Sequence, residues 1–405
     1  MTGSEERTVV PLLAPRDGLP PVVEDPVELA ETVAALAAGT GPVAVDAERA
    51  SGYRYGQRAY LVQLRREGAG TALIDPIGCP DLSALGAALS DAEWVLHAAN
   101  QDLACLADVG LRPPRLFDTE LGARLAGHPK VGLGPLVEEV LGLSLEKGHS
   151  AADWSTRPLP EPWLRYAALD VEVLVDLRHA LHAELEEQGK LAWALEEFDA
   201  VRNAPPPPPR PDPWRRTSGL HRVRSPRGLA AVRELWTTRD ALARQRDVAP
   251  GRLLPDSAMV EAALAAPTTL EALLAVPGFN GRGARRYGPR WLEALLRAYS
   301  SDFPPVSLPS EAPPPARSWP DRDPAAAARL AACRTAVAAI ADEHRLPVEN
   351  LLAPDTVRRL CWTPPEDLGE GAVAEVLRAH GARTWQVQLT APVLSAALRR
   401  VRDHA

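Results

Sequence analysis

The sequence places acidic residues at spacings that could hold a cation. In "VAVDAE", residues 43 to 48, three small apolar residues give way to Asp46 and Glu48, two positions apart. Side chains at i and i+2 of a strand share a face, so two carboxylates would stand side by side at the end of a core strand. At about 5 Å such a pair repels by roughly 3 kcal/mol at an effective dielectric of 20. A divalent cation removes that repulsion, and magnesium, which takes carboxylate oxygens and keeps several waters, needs acids from more than one segment. Taken alone, the D-x-E reads more simply as a strand that ends at Val45 with both acids solvated.

Two further segments supply acids. "WVLHAANQDLACLADVG", residues 94 to 110, runs from a strand to the first turn of a helix and delivers Asp102 there. That position also suits an acid stabilised only by the helix dipole. "WLRYAALDVEVLVDL", residues 163 to 177, puts Tyr166 and Asp170 one turn apart on one helical face. Leu164, Ala167, Leu169, Val171, Leu174 and Val175 surround them, so Asp170 should face partly buried space. By itself the pair reads more simply as a hydrogen-bonded tyrosine and aspartate with no chemistry.

The elements that must position these side chains alternate in type, which predicts an α/β unit. Strands are expected at Val43 to Glu48, Ala59 to Arg65, Thr71 to Asp75 and Trp94 to Ala98. The first three follow one another through short turns, so the sheet should be mixed. Helices are expected at Pro26 to Ala38, Leu82 to Leu89, Gln101 to Val109, Thr119 to Ala126 and Leu133 to Leu141, with one long helix from Glu161 to about Gln188.

Proline marks the boundaries. "NAPPPPPRPDP" (203 to 213) and "FPPVSLPSEAPPPARSWP" (303 to 320) should be extended spacers. The expected plan is an α/β unit at 1–202, a linker at 203–218, a helical unit at 219–302, a second linker at 303–322 and a second helical unit at 323–405. "VAPGRLLPDSAMVE" and "LPVENLLAPDTVRR" hold the same place after a long helix in each helical unit, so the two read as a diverged internal repeat.

The net charge of −8 is unevenly distributed. Residues 1–200 carry 16 basic against 32 acidic side chains, residues 201–300 carry 17 against 8, and residues 301–405 carry 12 against 13. The middle unit is thus a basic module suited to a polyanion. In "VPGFNGRGARRYGPRW", residues 276 to 291, four glycines alternate with Arg282, Arg285, Arg286 and Arg290. No strand precedes them, so they read as a tight interhelical turn that offers amides and arginines to a phosphate backbone. Four widely spaced cysteines suggest reduced thiols with no disulfide partner. No apolar run reaches the roughly 18 residues of a membrane span, and the N-terminus lacks a secretion pattern, so no membrane partner and a cytoplasmic location are expected.

Jointly, the D-x-E on a first strand, the aspartate after a later strand and the Y-x-x-x-D on a following helix resemble the three motifs of the DEDD superfamily of 3′–5′ exonucleases, in its tyrosine-containing branch. Within it the resemblance is to the ribonuclease D family. It extends through "FDTELGARLAG" (117 to 127) and "LEKGHSAADWSTRPLPEPWLRYAALDVEVL" (145 to 174), and the middle unit resembles an HRDC domain. The resemblance implies a ribonuclease H-like α/β exonuclease domain, a mixed sheet flanked by helices, followed by two small all-α HRDC-type domains. It implies two divalent ions, Mg2+ or Mn2+, with Asp46, Glu48 and Asp170 on one and Asp46 bridging to a second that Asp102 also holds. Tyr166 would position the attacking water. His97 and Gln101 flank the second motif and would contact the terminal nucleotide, although His97 also reads as a core histidine at a strand end. Lys147, His149 and Trp154 fall in a loop near the site, where Lys147 would contact a phosphate or base of the nucleic acid, or is simply a solvated loop lysine. The implied activity is metal-dependent trimming of the 3′ ends of structured RNA such as tRNA precursors. A DNA 3′ exonuclease, or a nucleic-acid-binding protein without activity, are the alternatives.

Overall fold

A computed structural model of the chain describes residues 9–146, 148–149, 151–300, 302–308 and 312–403. Its first unit is built on β3 (Thr40–Arg49), in which Val43, Ala44 and Val45 are fully buried. An uninterrupted apolar run of this kind suits a central strand covered on both faces. Around it, with β1 (Val10–Leu12), β2 (Val22–Val23), β4 (Ala59–Glu67), β5 (Gly70–Ile74), β6 (Glu93–Leu96), β7 (Arg115–Asp118) and β8 (Leu143–Leu145), two sheets form. The larger has the order β2-β5-β4-β3-β6-β7, and β1 pairs separately with β8. β3, β4 and β5 are antiparallel, while β2, β6 and β7 lie parallel to their neighbours, which makes the sheet mixed.

Among the described residues, eight helices belong to this unit: α1 (Pro26–Ala38), α2 (Ser83–Ala88), α3 (Leu103–Asp108), α4 (Thr119–Ala126), α5 (Leu133–Leu141), α6 (Glu161–Glu172), α7 (Leu174–Glu187) and α8 (Leu191–Arg202). One face of the sheet presents Leu61 and Leu73 to Ala167 and Ala168 of α6. The single helix expected from Glu161 to Gln188 is two. It breaks at Val173, directly after the buried Glu172, whose carboxylate pairs with Arg65 at 3.2 Å and Arg16 at 3.5 Å.

The middle unit comprises α9 (Pro226–Arg246), α10 (Pro250–Leu253), α11 (Asp256–Ala265), α12 (Leu270–Leu274), α13 (Arg282–Arg286) and α14 (Gly288–Ser300), around a core of its own that includes Trp214 and Trp291. The last unit comprises α15 (Trp319–Arg322), α16 (Pro324–Glu343), α17 (Val348–Leu351), α18 (Pro354–Trp362), α19 (Glu370–Ala379) and α20 (Thr384–Asp403). The two share the same turn after the long helix. Asp247 and Arg345 both sit in the left-handed region, at φ 47° and 52°, and a four-residue helix follows each.

Part of the stretch expected to be a second linker is packed. Trp319 is fully buried against Trp362 at 4.9 Å, and its indole N–H donates to the Pro314 carbonyl at 2.8 Å. Helical packing therefore starts upstream of residue 323. α16 is long and apolar enough by length and composition to cross a membrane, and its buried stripe, Leu330, Cys333, Val337 and Ala341, lies in the core of this unit. The four cysteines are unbridged and buried. Cys333 and Cys361, 28 residues apart in sequence, share a hydrogen bond.

The two helical units attach differently. The apolar core of the last unit is continuous with that of the α/β unit. Trp193 of α8 stacks on Trp385 with centroids 5.0 Å apart, and Glu196 accepts the Thr384 amide at 2.7 Å. The middle unit instead meets the β3–β4 loop through polar contacts. Tyr55 donates to Asp240 at 2.9 Å, Arg252 donates to the Gly52 carbonyl at 2.8 Å, and the Ala249 amide donates to the Tyr53 carbonyl at 2.9 Å.

Candidate active site

β3 ends its buried run by presenting Asp46 and Glu48 on one face, opposite Gln63 and Leu61 of β4. α6 crosses that face and brings Asp170, so that Asp46, Glu48 and Asp170 each have a carboxylate oxygen within 4.8 Å of the others. Three such groups from a strand and a helix form a hard, all-oxygen donor set that fits a divalent cation of the magnesium type.

Asp102 reaches the same cleft from β6. The chain turns after that strand through Ala98, a non-glycine residue at φ 57°, and a short 3-10 turn over Ala99–Gln101 precedes α3. The backbone holds this shape because Asp118, at the end of β7, accepts the amides of Ala98 at 3.1 Å and Ala99 at 2.9 Å. The same carboxylate caps α4 by accepting from Glu120 and Leu121. Sequence reasoning did not single out Asp118, although an aspartate directly before a helical run is an N-cap signal. It also passed over Arg157, whose fork donates to both oxygens of Asp75 at 2.6 and 2.8 Å and ties the segment before α6 to the sheet.

The electrostatics follow from burial. Glu48 is pushed up to about 10, first by desolvation and then by Asp46, Asp170 and Asp102. Asp102 is raised to about 8 by the same loss of water and by Asp46. Asp46 and Asp170 are raised chiefly by burial, against which a Tyr166 hydrogen bond to Asp170 acts. Burial and the neighbouring acids also keep Tyr166 a neutral phenol. Without cations this cluster holds protons, and a cation binds by displacing them, so its affinity rises with pH.

All five motif residues thus meet, at a cleft of about 530 Å³. His97 and Gln101 line it too. His97 accepts or donates at Thr119 Oγ1 over 2.9 Å, and burial lowers it to about 4, so it is a neutral ring on the cleft wall. His149 stands edge-on to the Tyr166 ring at 6.0 Å, and Trp154 is fully buried beside Trp163. Lys147 lies outside the described residues.

The arginines of the middle unit are elsewhere. Arg282, Arg285 and Arg286 on α13 and Arg290 on α14 are exposed and have no ion-pair partner among the described residues. Their glycines serve packing more than phosphate contact. A Cβ on Gly278, at φ 91°, would come within 2.6 Å of the Ala258 Cβ, and one on Gly283 within 3.1 Å of the Arg252 carbonyl oxygen.

Residues 20–186 match the family model described as a 3′–5′ exonuclease, residues 228–295 that of the HRDC domain, and residues 312–398 that of a 3′ to 5′ exonuclease C-terminal domain. The last of these covers the unit expected to be a second HRDC copy. Ribonuclease D of Gluconacetobacter diazotrophicus is 32% identical over 335 residues, 80% of this chain and 82% of its own length. The chain belongs to the ribonuclease D family. Ribonuclease D of Escherichia coli K12 is 31% identical over 78% of this chain and 84% of its own. Among solved structures, a protein from Bifidobacterium adolescentis matches 96% of this chain and 100% of its own with a TM-score of 0.87 at 39% identity. Escherichia coli RNase D matches 94% and 98% with a TM-score of 0.68 at 27% identity. As a member of the ribonuclease D family the chain is a 3′–5′ exonuclease, a hydrolase of nucleic acid, and its acidic cluster is compatible with divalent metal.

Proposed function

We propose that this enzyme is an exoribonuclease that trims the 3′ ends of structured RNA, tRNA precursors among them, with two divalent ions, Mg2+ or Mn2+. The observation that carries the reading is the meeting of Asp46, Glu48, Asp102, Tyr166 and Asp170, drawn from three separate segments, in one cleft. Asp46, Glu48 and Asp170 would hold one ion, and Asp46 with Asp102 the other. When bound, such a pair stabilises charge on the attacking and leaving oxygens of an in-line displacement at phosphorus.

The chain's own residues do the remaining work. Tyr166, a neutral phenol one turn before Asp170 on α6, has a hydroxyl suited to orient a water toward the scissile phosphate. Neutral His97 and exposed Gln101, on the cleft wall, offer hydrogen bonds to the terminal nucleotide. Arg282, Arg285, Arg286 and Arg290 are suited to hold the RNA body through phosphates, without base preference. Escherichia coli RNase D, a structural relative, is described as an exoribonuclease involved in structured RNA processing, which favours RNA over DNA.

The test is a substrate comparison. A 3′-labelled RNA strand, a DNA strand of the same sequence and a tRNA precursor are each incubated with Mg2+ or Mn2+. Release of single nucleotides from the RNAs, with DNA spared, is expected. Preferential shortening of DNA would select the repair exonuclease, and no shortening of any polymer would leave only a binding role. Asp46→Asn and Asp170→Asn should abolish release while RNA affinity stays within about twofold.

A further inference from the structure

The acidic cleft holds a cation of its own. Among the described residues its wall carries the carboxylates of Asp46, Glu48, Asp102, Glu138, Glu146 and Asp170 against a single guanidinium, that of Arg49. Simple alternation along β3 would send Arg49 to the face opposite Glu48. Arg49 nevertheless lines the same cleft as Glu48: Glu48 lies opposite Leu61 but Arg49 opposite Ala59, so β4 carries one extra residue, Tyr60, between the two pairs. A bulge of this kind bends the strand and re-aims a side chain, and bulges concentrate beside active sites. The Arg49 Nη2 ends 3.3 Å from Oδ1 of Asp102. The arginine side chain is 26% exposed and the aspartate 7%, so the pair stands at the cleft surface with the carboxylate inside.

This separates Asp102 from the other acids. Arg49 also acts on Asp46 and Glu48 through the field of its charge, but among the described residues its ion pair is with Asp102. Resting on the two-ion reading above, we propose that Arg49 competes with a divalent ion for Asp102 and, when displaced, binds the phosphate of the RNA 3′ end in the same cleft. Of the anions left to the displaced guanidinium, Glu138 and Glu146 are fixed parts of the cleft wall, whereas the entering phosphodiester arrives with the substrate and is its partner. Its planar fork matches two phosphate oxygens, which a lysine ammonium does not. Loading of the second ion and capture of the RNA end are thereby linked through one side chain.

The test uses the full chain and has a readout other than turnover. Free Mn2+ is followed by electron paramagnetic resonance as it is titrated into wild type, Arg49→Met, Arg49→Lys and Asp102→Asn, without RNA. Wild type should bind a tighter and a weaker ion, and Asp102→Asn should lose the weaker one. Arg49→Met should tighten the weaker ion roughly tenfold, the effect of about 1.4 kcal/mol, and leave the tighter one within twofold. With calcium in place of the catalytic ion, to hold the complex uncleaved, a single-stranded RNA oligonucleotide with a free 3′ hydroxyl should bind Arg49→Met several-fold more weakly. Arg49→Lys, which keeps the charge and the stem, should restore competition at Asp102 but not full RNA affinity. An unchanged or loosened weaker ion in Arg49→Met overturns the competition, and unchanged RNA affinity overturns the capture. If Asp102→Asn leaves Mn2+ binding as in wild type, the two-ion reading itself fails and the proposal falls with it.

Discussion

Glu48→Gln should stabilise the cation-free enzyme while abolishing its activity. In the fold Glu48 holds its proton up to about 10, against an ordinary value of 4.5. At pH 7 the folded state therefore keeps a proton that the unfolded chain has released. The cost to the fold is about 1.4 kcal/mol for each pH unit above 4.5, or about 3 kcal/mol at pH 7. It does not depend on how far the folded value lies above 7. More protons are bound in the folded state than in the unfolded, so wild-type stability falls as pH rises from 4.5 to about 10. Glutamine has the same shape, stays neutral at every pH and lacks this slope. In EDTA, calorimetry should therefore find the variant equal to wild type near pH 4.5 and about 3 kcal/mol more stable at pH 7, a rise of roughly 5–10 °C in the transition of the α/β unit. Saturating Mg2+ should reverse the order, because the variant has lost a ligand. A variant no more stable than wild type in EDTA at pH 7, or a difference that does not grow with pH, would refute the assignment of Glu48 to a desolvated acidic cluster.

Other perturbations have equally definite outcomes. Asp118→Ala removes the acceptor of four backbone amides, at Ala98, Ala99, Glu120 and Leu121; a loss of roughly 2–4 kcal/mol in denaturant unfolding is expected, with weaker Mn2+ binding at Asp102. Replacing Arg282, Arg285, Arg286 and Arg290 together by glutamine should flatten the salt dependence of RNA affinity by about 0.7 in logarithmic slope for each phosphate left without an arginine, and an unchanged slope would place the tether elsewhere. Trp193→Ala, which removes the ring stacked on Trp385, should cost about 3 kcal/mol or more and increase hydrogen exchange in α20 before α9.

The clustered acids were legible because the chemistry proposed for them constrains sequence locally. D-x-E after three apolar residues has few alternatives once two more acids sit at the ends of periodic elements, and β3, β4, β5 and β6 were found where alternation and apolar content predicted them. The rest depended on contacts between distant segments. β1, β2 and β8 are two or three residues long, too short for any period to register. β7 carries an arginine at one end and an aspartate at the other and reads as a turn until its partner β6 is known. Trp319 sat among prolines, and nothing local announces that its partner is Trp362. The direction of Arg49 was illegible for a different reason: alternation gives the wrong face, and only the pairing register on β4 reveals the bulge.

The unequal attachment of the two helical units bears on how the chain can change over generations. The two helical units share the same turn after their long helix, yet one encloses its own core and the other shares a core with the sheet of the α/β unit. Substitutions inside the middle unit are felt within it, so that unit can drift, be exchanged for another domain or be lost with little more than the contacts at Tyr53 and Tyr55 left open. A frameshift or truncation that removes the last unit uncovers Trp193 and the apolar surface around it. Its interior is therefore held to the same tolerance as the sheet beneath the acidic cleft, even though none of its described residues lines that cleft.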